Sequence, residues 1–170
     1  MNVIGNRRRK VLSKYLIIDS REKPKAIKNI IKTFDEAGIQ YETSKLLFGD
    51  YMDYGNPHRV IDRKQNIAEL AKNCTVEAQR FKNELERAQR ANSELVILVE
   101  QNRFKDGDKW RTVNEISDLI TWSSPHTRIT GEKVFRVLVS WVNKYNLSVE
   151  FCDKRVTGKR ILEILYNDGE

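Results

Sequence analysis

Cysteine and histidine are scarce in this chain: Cys74, Cys152, His58 and His126 are the only ones among 170 residues, and there are three prolines. With no Cys-x-x-Cys pair and two imidazoles to join the thiols, a zinc site is not expected, and both cysteines read as small core residues of a reducing compartment. Long apolar runs are also lacking. None reaches the roughly 18 residues needed to cross a bilayer, and the apolar piece at 15–18 is closed off by Lys14 and Asp19, too short for a signal peptide. The expectation is an intracellular protein without a membrane partner, and no internal repeat or low-complexity tract stands out.

What is present is ordinary in amount and uneven in placement. The hydrophobic share of 39% over 170 residues suits one soluble domain with a real core. The net charge of +7 owes most of its excess to residues 1–14, which hold Arg7, Arg8, Arg9, Lys10 and Lys14 and no acid; the remaining 26 bases face 24 acids. This arm is either a phosphate contact or a solvated tail. Residues 15–170 form the domain proper.

Along that domain, Tyr15-Leu16-Ile17-Ile18 reads as a buried strand ending in Asp19. Pro24 opens an amphipathic helix carrying Ile27, Ile30, Ile31 and Phe34, which ends near Gly38. Strands at about 39–47, 49–54 and 58–64, with Gly55-Asn56-Pro57 as a turn, look like an antiparallel meander. Thr75 is placed to cap a long helix with Phe81, Leu85 and Ala88 on one face, and Glu94–Glu100 has the apolar density of a central strand. Residues 101–110 read as a polar loop, and Thr112 with Glu115 as a capping box opening a helix with Val113, Ile116 and Ile120 inward. A helix with Val134, Leu138, Trp141, Val142 and Tyr145, a strand at 147–152 and a helix with Ile161, Ile164 and Leu165 close the chain. Strands alternating with helices predict an α/β fold with a mixed sheet.

The chemistry concentrates near the strand ends. Side chains alternate across a strand, so Asp62 and Lys64 project to one side and Arg63 to the other. If the turn pairs the two strands, Asp50 approaches Asp62 and makes an all-oxygen pocket suited to Mg²⁺ or Mn²⁺. Such an ion polarises a phosphoryl oxygen and activates water, and Lys64 supplies complementary charge. Asp19 and Glu22 suit outer-shell or second-metal positions, and Arg21, Arg63 and Lys64 offset the clustered acids. Each motif alone has a plainer reading: a surface ion pair for D-x-K, a turn for Gly-Asp-Tyr, a helix-entry cap for Asp-Ser-Arg-Glu. Their order along the chain favours a site.

Those ordered signatures resemble the nuclease domain of the XPF-type structure-specific endonucleases, a branch of the restriction-endonuclease-like PD-(D/E)XK superfamily. The carriers are Asp19-x-Arg21-Glu22, Asp50 in Gly-Asp-Tyr, Asp62-Arg63-Lys64, the N-x-A-E-L segment from Asn66, the R-F-K-N-E-L helix from Arg80 and the ELVILVE strand. The resemblance implies a three-layer fold with a central mixed sheet flanked by helices. It also implies a metal-dependent DNA endonuclease acting on branched or flap-like DNA in recombination, repair or replication. Asp19, Glu22, Asp50, Asp62, Arg63 and Lys64 would form its active site, with Arg80 reaching the site or the DNA backbone. The family's usual signature has Glu where this chain has Asp62, retracting that carboxylate by roughly 1.5 Å. No tandem helix-hairpin-helix unit is expected, so the chain resembles the compact stand-alone members of bacteriophages and bacteria. A homodimer is a further implication, with Trp122, Phe135, Trp141 and Tyr145 as its candidate aromatics if they lie off the core. The competing readings are a catalytically silent DNA-binding or scaffold subunit and a protein-interaction module acting on another nuclease.

Overall fold

A computed structural model describes residues 14–167, so Arg7, Arg8, Arg9 and Lys10 lie outside the described residues. The elements follow in the order β1 (Tyr15–Asp19), α1 (Pro24–Glu36), β2 (Gln40–Ser44), β3 (Tyr51–Asp53), β4 (Asn56–Lys64), α2 (Ile67–Cys74), α3 (Ala78–Arg90) and β5 (Glu94–Val99). After them come β6 (Arg103–Asp106), β7 (Lys109–Thr112), α4 (Gly131–Lys144), β8 (Leu147–Phe151) and α5 (Thr157–Tyr166). The main sheet has six strands in the order β2-β1-β3-β4-β5-β8, while β6 and β7 form a separate hairpin. Only β3 runs against its neighbours, so the sheet is mixed and the other strands end at one common edge.

Helices cover both faces, giving three layers. On one face Ile67, Leu70, Phe81, Leu85, Val134, Leu138 and Trp141 pack over Val60, Leu95, Ile97, Val99 and Leu147. On the other, Ile27, Ile30, Phe34, Ile161 and Leu165 pack over Leu16, Ile18, Tyr51, Ile61, Val96 and Leu98. This double covering is why β5 is apolar at successive positions and does not alternate. Among the described residues no helix is long and apolar enough to cross a membrane.

Several local readings need correction. The three segments after α1 do not form a meander: β2 pairs parallel with β1, and only β3 and β4 make an antiparallel hairpin. A helix separates β1 from β2, and a strand–helix–strand crossover returns the chain in parallel. Thr75 ends a helix instead of capping one, its hydroxyl donating to the Ala71 carbonyl at 2.8 Å. The helix it ends, α2, begins at Asn66, whose side chain accepts from the Glu69 amide at 2.8 Å. The 101–110 loop is largely the β6–β7 hairpin, and the expected helix after Thr112 shrinks to a 3-10 turn (Ile116–Leu119) capped by Glu115 and Asp118. Ile120 and Val142 are exposed, whereas Trp122, Trp141 and Tyr145 are core residues and so offer no dimer surface; Phe135 is half-buried.

The layer of α1 and α5 depends on close approach at Gly158, where an added Cβ would stand 2.7 Å from Thr33 Cβ and 3.2 Å from Ile30 Cα. Gly158→Ala is therefore expected to lower stability by about 1–3 kcal/mol through overpacking. Urea denaturation measures this, and an unchanged midpoint would show that the two helices separate freely.

Candidate active site

The common edge of the parallel strands gathers the chemistry. β1 ends in Asp19 and β4 in Asp62-Arg63-Lys64, Glu100 follows β5, and the antiparallel β3 begins beside Asp50. Ligands of open α/β sheets bind outside the carboxyl ends of strands, which is where these side chains stand. A cleft of about 310 Å³ there is lined by Glu22, Asp50, Asp62, Arg63, Lys64 and Glu84, with Arg21, Glu69 and Arg80 around it.

The tight entry to β3 makes the first contact. Gly49 has φ +67°, and a Cβ there would meet the Val60 side chain and lie 2.9 Å from the Ile61 carbonyl oxygen. Glycine alone allows this approach at low cost. Asp50 then donates its amide to the Ile61 carbonyl at 2.7 Å, and its Oδ2 accepts from the Arg63 amide at 2.8 Å. The Gly49 amide donates to Glu84 Oε1 at 2.8 Å, which brings a carboxylate of α3 into the cleft.

Alternation along β4 separates two charge systems. Toward α1, the Arg63 guanidinium donates to Glu22 Oε1 at 3.0 Å and Oε2 at 2.6 Å, and to Glu100 Oε2 at 2.7 Å. All three side chains are buried. Toward α3, Lys64 Nζ donates to Asp62 Oδ1 at 2.9 Å and lies 5.1 Å from the centroid of the Phe81 ring. Nζ is also 2.7 Å from Asp62 Oδ2, so the one ammonium faces both oxygens of this buried carboxylate.

Asp19 is used differently. It is fully buried and accepts from the Arg21 guanidinium at 2.6 and 3.0 Å, the Arg21 amide at 2.8 Å and the Leu46 amide at 2.7 Å. Burial raises its pKa, but these donors outweigh it and leave the carboxyl below its ordinary value. Asp19 is absent from the cleft lining and ties the end of β1 to the segment before β3. Arg80 is largely exposed, pairs with Glu77 one turn earlier and reaches the cleft rim.

The acids facing Lys64 are the electrostatic anomaly. Burial, then the nearby charges of Asp62 and Glu22, hold the Asp50 carboxyl well above the usual range. Burial and the charge of Asp62 raise Glu84 likewise. Burial disfavours charge on Lys64, but Asp62, Asp50 and Glu84 overcome it and keep the ammonium protonated. Carboxyls raised by burial and then by neighbouring negative charge are a set that a hard divalent cation would relieve. Mg²⁺ and Mn²⁺ fit this donor chemistry, although among the described residues no three acids already stand as a closed metal cage.

The sequence reading passed over Glu84 and Glu100 as site residues. Both lay inside quoted motifs, the R-F-K-N-E-L helix and the ELVILVE strand, and neither spacing shows which way its carboxylate turns.

A family model of the ERCC4 domain matches residues 18–164. The chain belongs to the ERCC4 domain family. Among curated proteins none matches it. It is similar in structure to XPF from Aeropyrum pernix, with a TM-score of 0.60 and 14% identity over 88% of this chain and 62% of that one. A second similar structure is XPF from Aeropyrum pernix in complex with DNA, with a TM-score of 0.59, 15% identity and coverage of 89% and 62%. The chain thus spans under two thirds of those chains, and at such identities the likeness is one of fold. The three-layer arrangement expected from the signatures is the XPF nuclease fold.

Two outcomes follow for this ERCC4 domain. Arg63→Ala leaves Glu22 and Glu100 buried without their shared cation and is expected to cost about 3–5 kcal/mol. A loss in urea denaturation below about 1 kcal/mol would show that Arg63 is not the tie between these strands.

The second concerns pH. Asp50 and Glu84 have folded pKa values above their unfolded ones, so their stabilising contribution is full below about pH 4 and is lost as pH rises through the folded values. Asp19, with a lowered pKa, acts in the opposite sense and loses its contribution as pH falls. Asp50→Asn keeps an acceptor for the Arg63 amide and removes the charge. Without metal it is expected to melt roughly 2–4 °C above the parent near neutral pH, with the gap closing toward about pH 4. Equal melting temperatures at neutral pH would remove the argument for repulsion.

Proposed function

We propose that this protein is an Mg²⁺- or Mn²⁺-dependent endonuclease that hydrolyses phosphodiester bonds of DNA, acting on branched or flap-like substrates in recombination, repair or replication. The observation carrying this reading is the meeting of Asp50, Asp62, Lys64 and Glu84 in one cleft of an ERCC4 domain. Asp50 and Asp62 would hold the cation, with Glu84 beside them. Bound there, the ion would polarise a phosphoryl oxygen and lower the pKa of the attacking water.

The remaining work falls to the chain. Lys64 stays charged and is braced by Asp62 and the Phe81 ring, and its ammonium would offset negative charge growing on the phosphate. Glu84, with its raised pKa, is suited to take a proton from water. Glu22 supports this arrangement through Arg63, and Asp19 through the segment before β3. Arg80, at the rim, contacts the DNA backbone, as do the arm residues Arg7, Arg8, Arg9 and Lys10. The XPF from Aeropyrum pernix that is described in complex with DNA supports a nucleic-acid partner for this fold.

Cleavage of branched and linear DNA with Mg²⁺ or Mn²⁺ tests the proposal. EDTA is expected to abolish it, and Lys64→Ala to lower the rate by about 10²–10³-fold, the size expected for loss of a charge-stabilising group. Undiminished cutting by Lys64→Ala would refute the site. DNA binding by a parent that never cuts would instead mark a silent DNA-binding subunit.

A further inference from the structure

The β6–β7 hairpin leaves the sheet beside the cleft. It starts three residues after Glu100, the partner of Arg63, and its root is fixed by Gln101, which accepts from the Ile67 amide at 2.9 Å and donates to the Arg103 carbonyl at 2.9 Å. The Val113 amide closes the base by donating to the Asn102 carbonyl at 2.8 Å. Strands of four residues extend the arm by roughly 13 Å.

Its two faces differ. Cross-strand partners share a face, so Phe104 opposite Arg111 lies on one side and Lys105 opposite Trp110 on the other. Phe104 is buried in the helical core and anchors the first face. The second face carries Trp110, 59% exposed, with Arg103 Cζ 5.3 Å and Lys105 Nζ 5.8 Å from its ring centroid. Trp122 and Trp141, by contrast, are only 6% and 5% exposed. An isolated exposed aromatic is unremarkable on a protein surface. Here two cations lie close to the ring, on the unpacked face of an arm whose root adjoins the end of β4.

We propose that this hairpin is a single-strand-binding arm in which Trp110 stacks on an unpaired nucleobase while Arg103 and Lys105 neutralise the adjoining phosphates. Aromatic rings interleaved with cations hold single-stranded nucleic acid in this way, without reading its sequence. Positive charge on the same face favours a polyanion over an apolar protein partner. The inference deepens the endonuclease reading, on which it rests, by naming the DNA feature held beside the cut: an unpaired strand.

The test uses the full chain in EDTA, titrated with a short oligothymidylate and with a duplex of equal length. Because Trp122 and Trp141 are buried, quenching of tryptophan fluorescence by the single strand reports Trp110. The expected result is saturable quenching in the parent. Trp110→Ala should abolish it and weaken single-strand binding, read by anisotropy of a labelled oligonucleotide, by roughly tenfold. Trp110→Phe should recover most of that affinity, and duplex affinity should hold within about twofold. Lys64→Ala should still quench while its cutting, measured with metal present, falls by the factor given above, which separates the two proposals. Unchanged single-strand affinity in Trp110→Ala overturns the arm and leaves the nuclease reading standing. Unchanged affinity together with a fall in oligomeric mass overturns it as well, assigning the ring to a second copy of this chain. Quenching by a parent that never cuts supports the arm and removes the nuclease.

Discussion

The buried Arg63 guanidinium, held between Glu22 and Glu100, is the constraint on which the rest of the edge depends. It ties the segment after β1 to the ends of β4 and β5, and the amide of the same residue fixes Asp50. A buried cation cannot be left partly paired, because each unmet charge costs several kcal/mol, so its planar fork dictates where both glutamates stand. Once Arg63 faces α1, strand alternation obliges Asp62 and Lys64 to face α3. The position of the Lys64 side is therefore set by a charge cluster on the opposite side of β4.

The two sides of β4 then meet opposite electrostatic fates. Around Arg63 nearly every polar atom has a partner, the Tyr51 hydroxyl being the buried exception. Around Lys64 burial and neighbouring negative charge hold the carboxyls of Asp50 and Glu84 above their ordinary pKa values. A larger cavity of about 520 Å³ elsewhere shows the contrast, for its charges are matched: Arg59 with Glu94, and Arg160 with Glu150 and Glu163. Such pairing settles a surface. Unrelieved repulsion stores a demand for a ligand, and for that reason the smaller cleft is the better candidate for function.

Much of this was legible in residue order. The alternation in Asp62-Arg63-Lys64 reads directly as two faces, and the observed contacts follow it. The helical spacing of Ile27, Ile30 and Phe34 and the unbroken apolar β5 likewise matched a doubly covered sheet. The pairing of β2 was not legible as read, since Gln40–Ser44 is mostly polar and looks the same whether it neighbours β1 or β3. Asn66 and Glu69 carry a capping signal for α2, while Thr75 is ambiguous because a threonine hydroxyl serves at either end of a helix. Glu84 and Glu100 stayed hidden because their roles arise from long-range contacts to Gly49 and Arg63. Asp19, read from its type and position as suited to an outer-shell or second-metal place, also accepts from the amide of Leu46, a contact distant in sequence that no spacing shows.

Topology explains why the cleft and the root of the hairpin are neighbours. With β1, β4, β5 and β8 parallel, every segment leaving a strand end enters the same space above the sheet edge. The segment after β1 brings Glu22, that after β4 leads into α2, and that after β5 becomes the hairpin with Trp110. Crossover helices return the chain to the far edge, so they bear the packing, and the near edge is free to carry polar groups. Phe104 pins the hairpin to the core while the β5 end is pinned by Glu100, so Trp110 is carried on an arm anchored at both its root and one face. A surface ring on a free loop would lose much of its stacking energy to ordering entropy. One held on a two-stranded, core-anchored arm has already met that cost on folding.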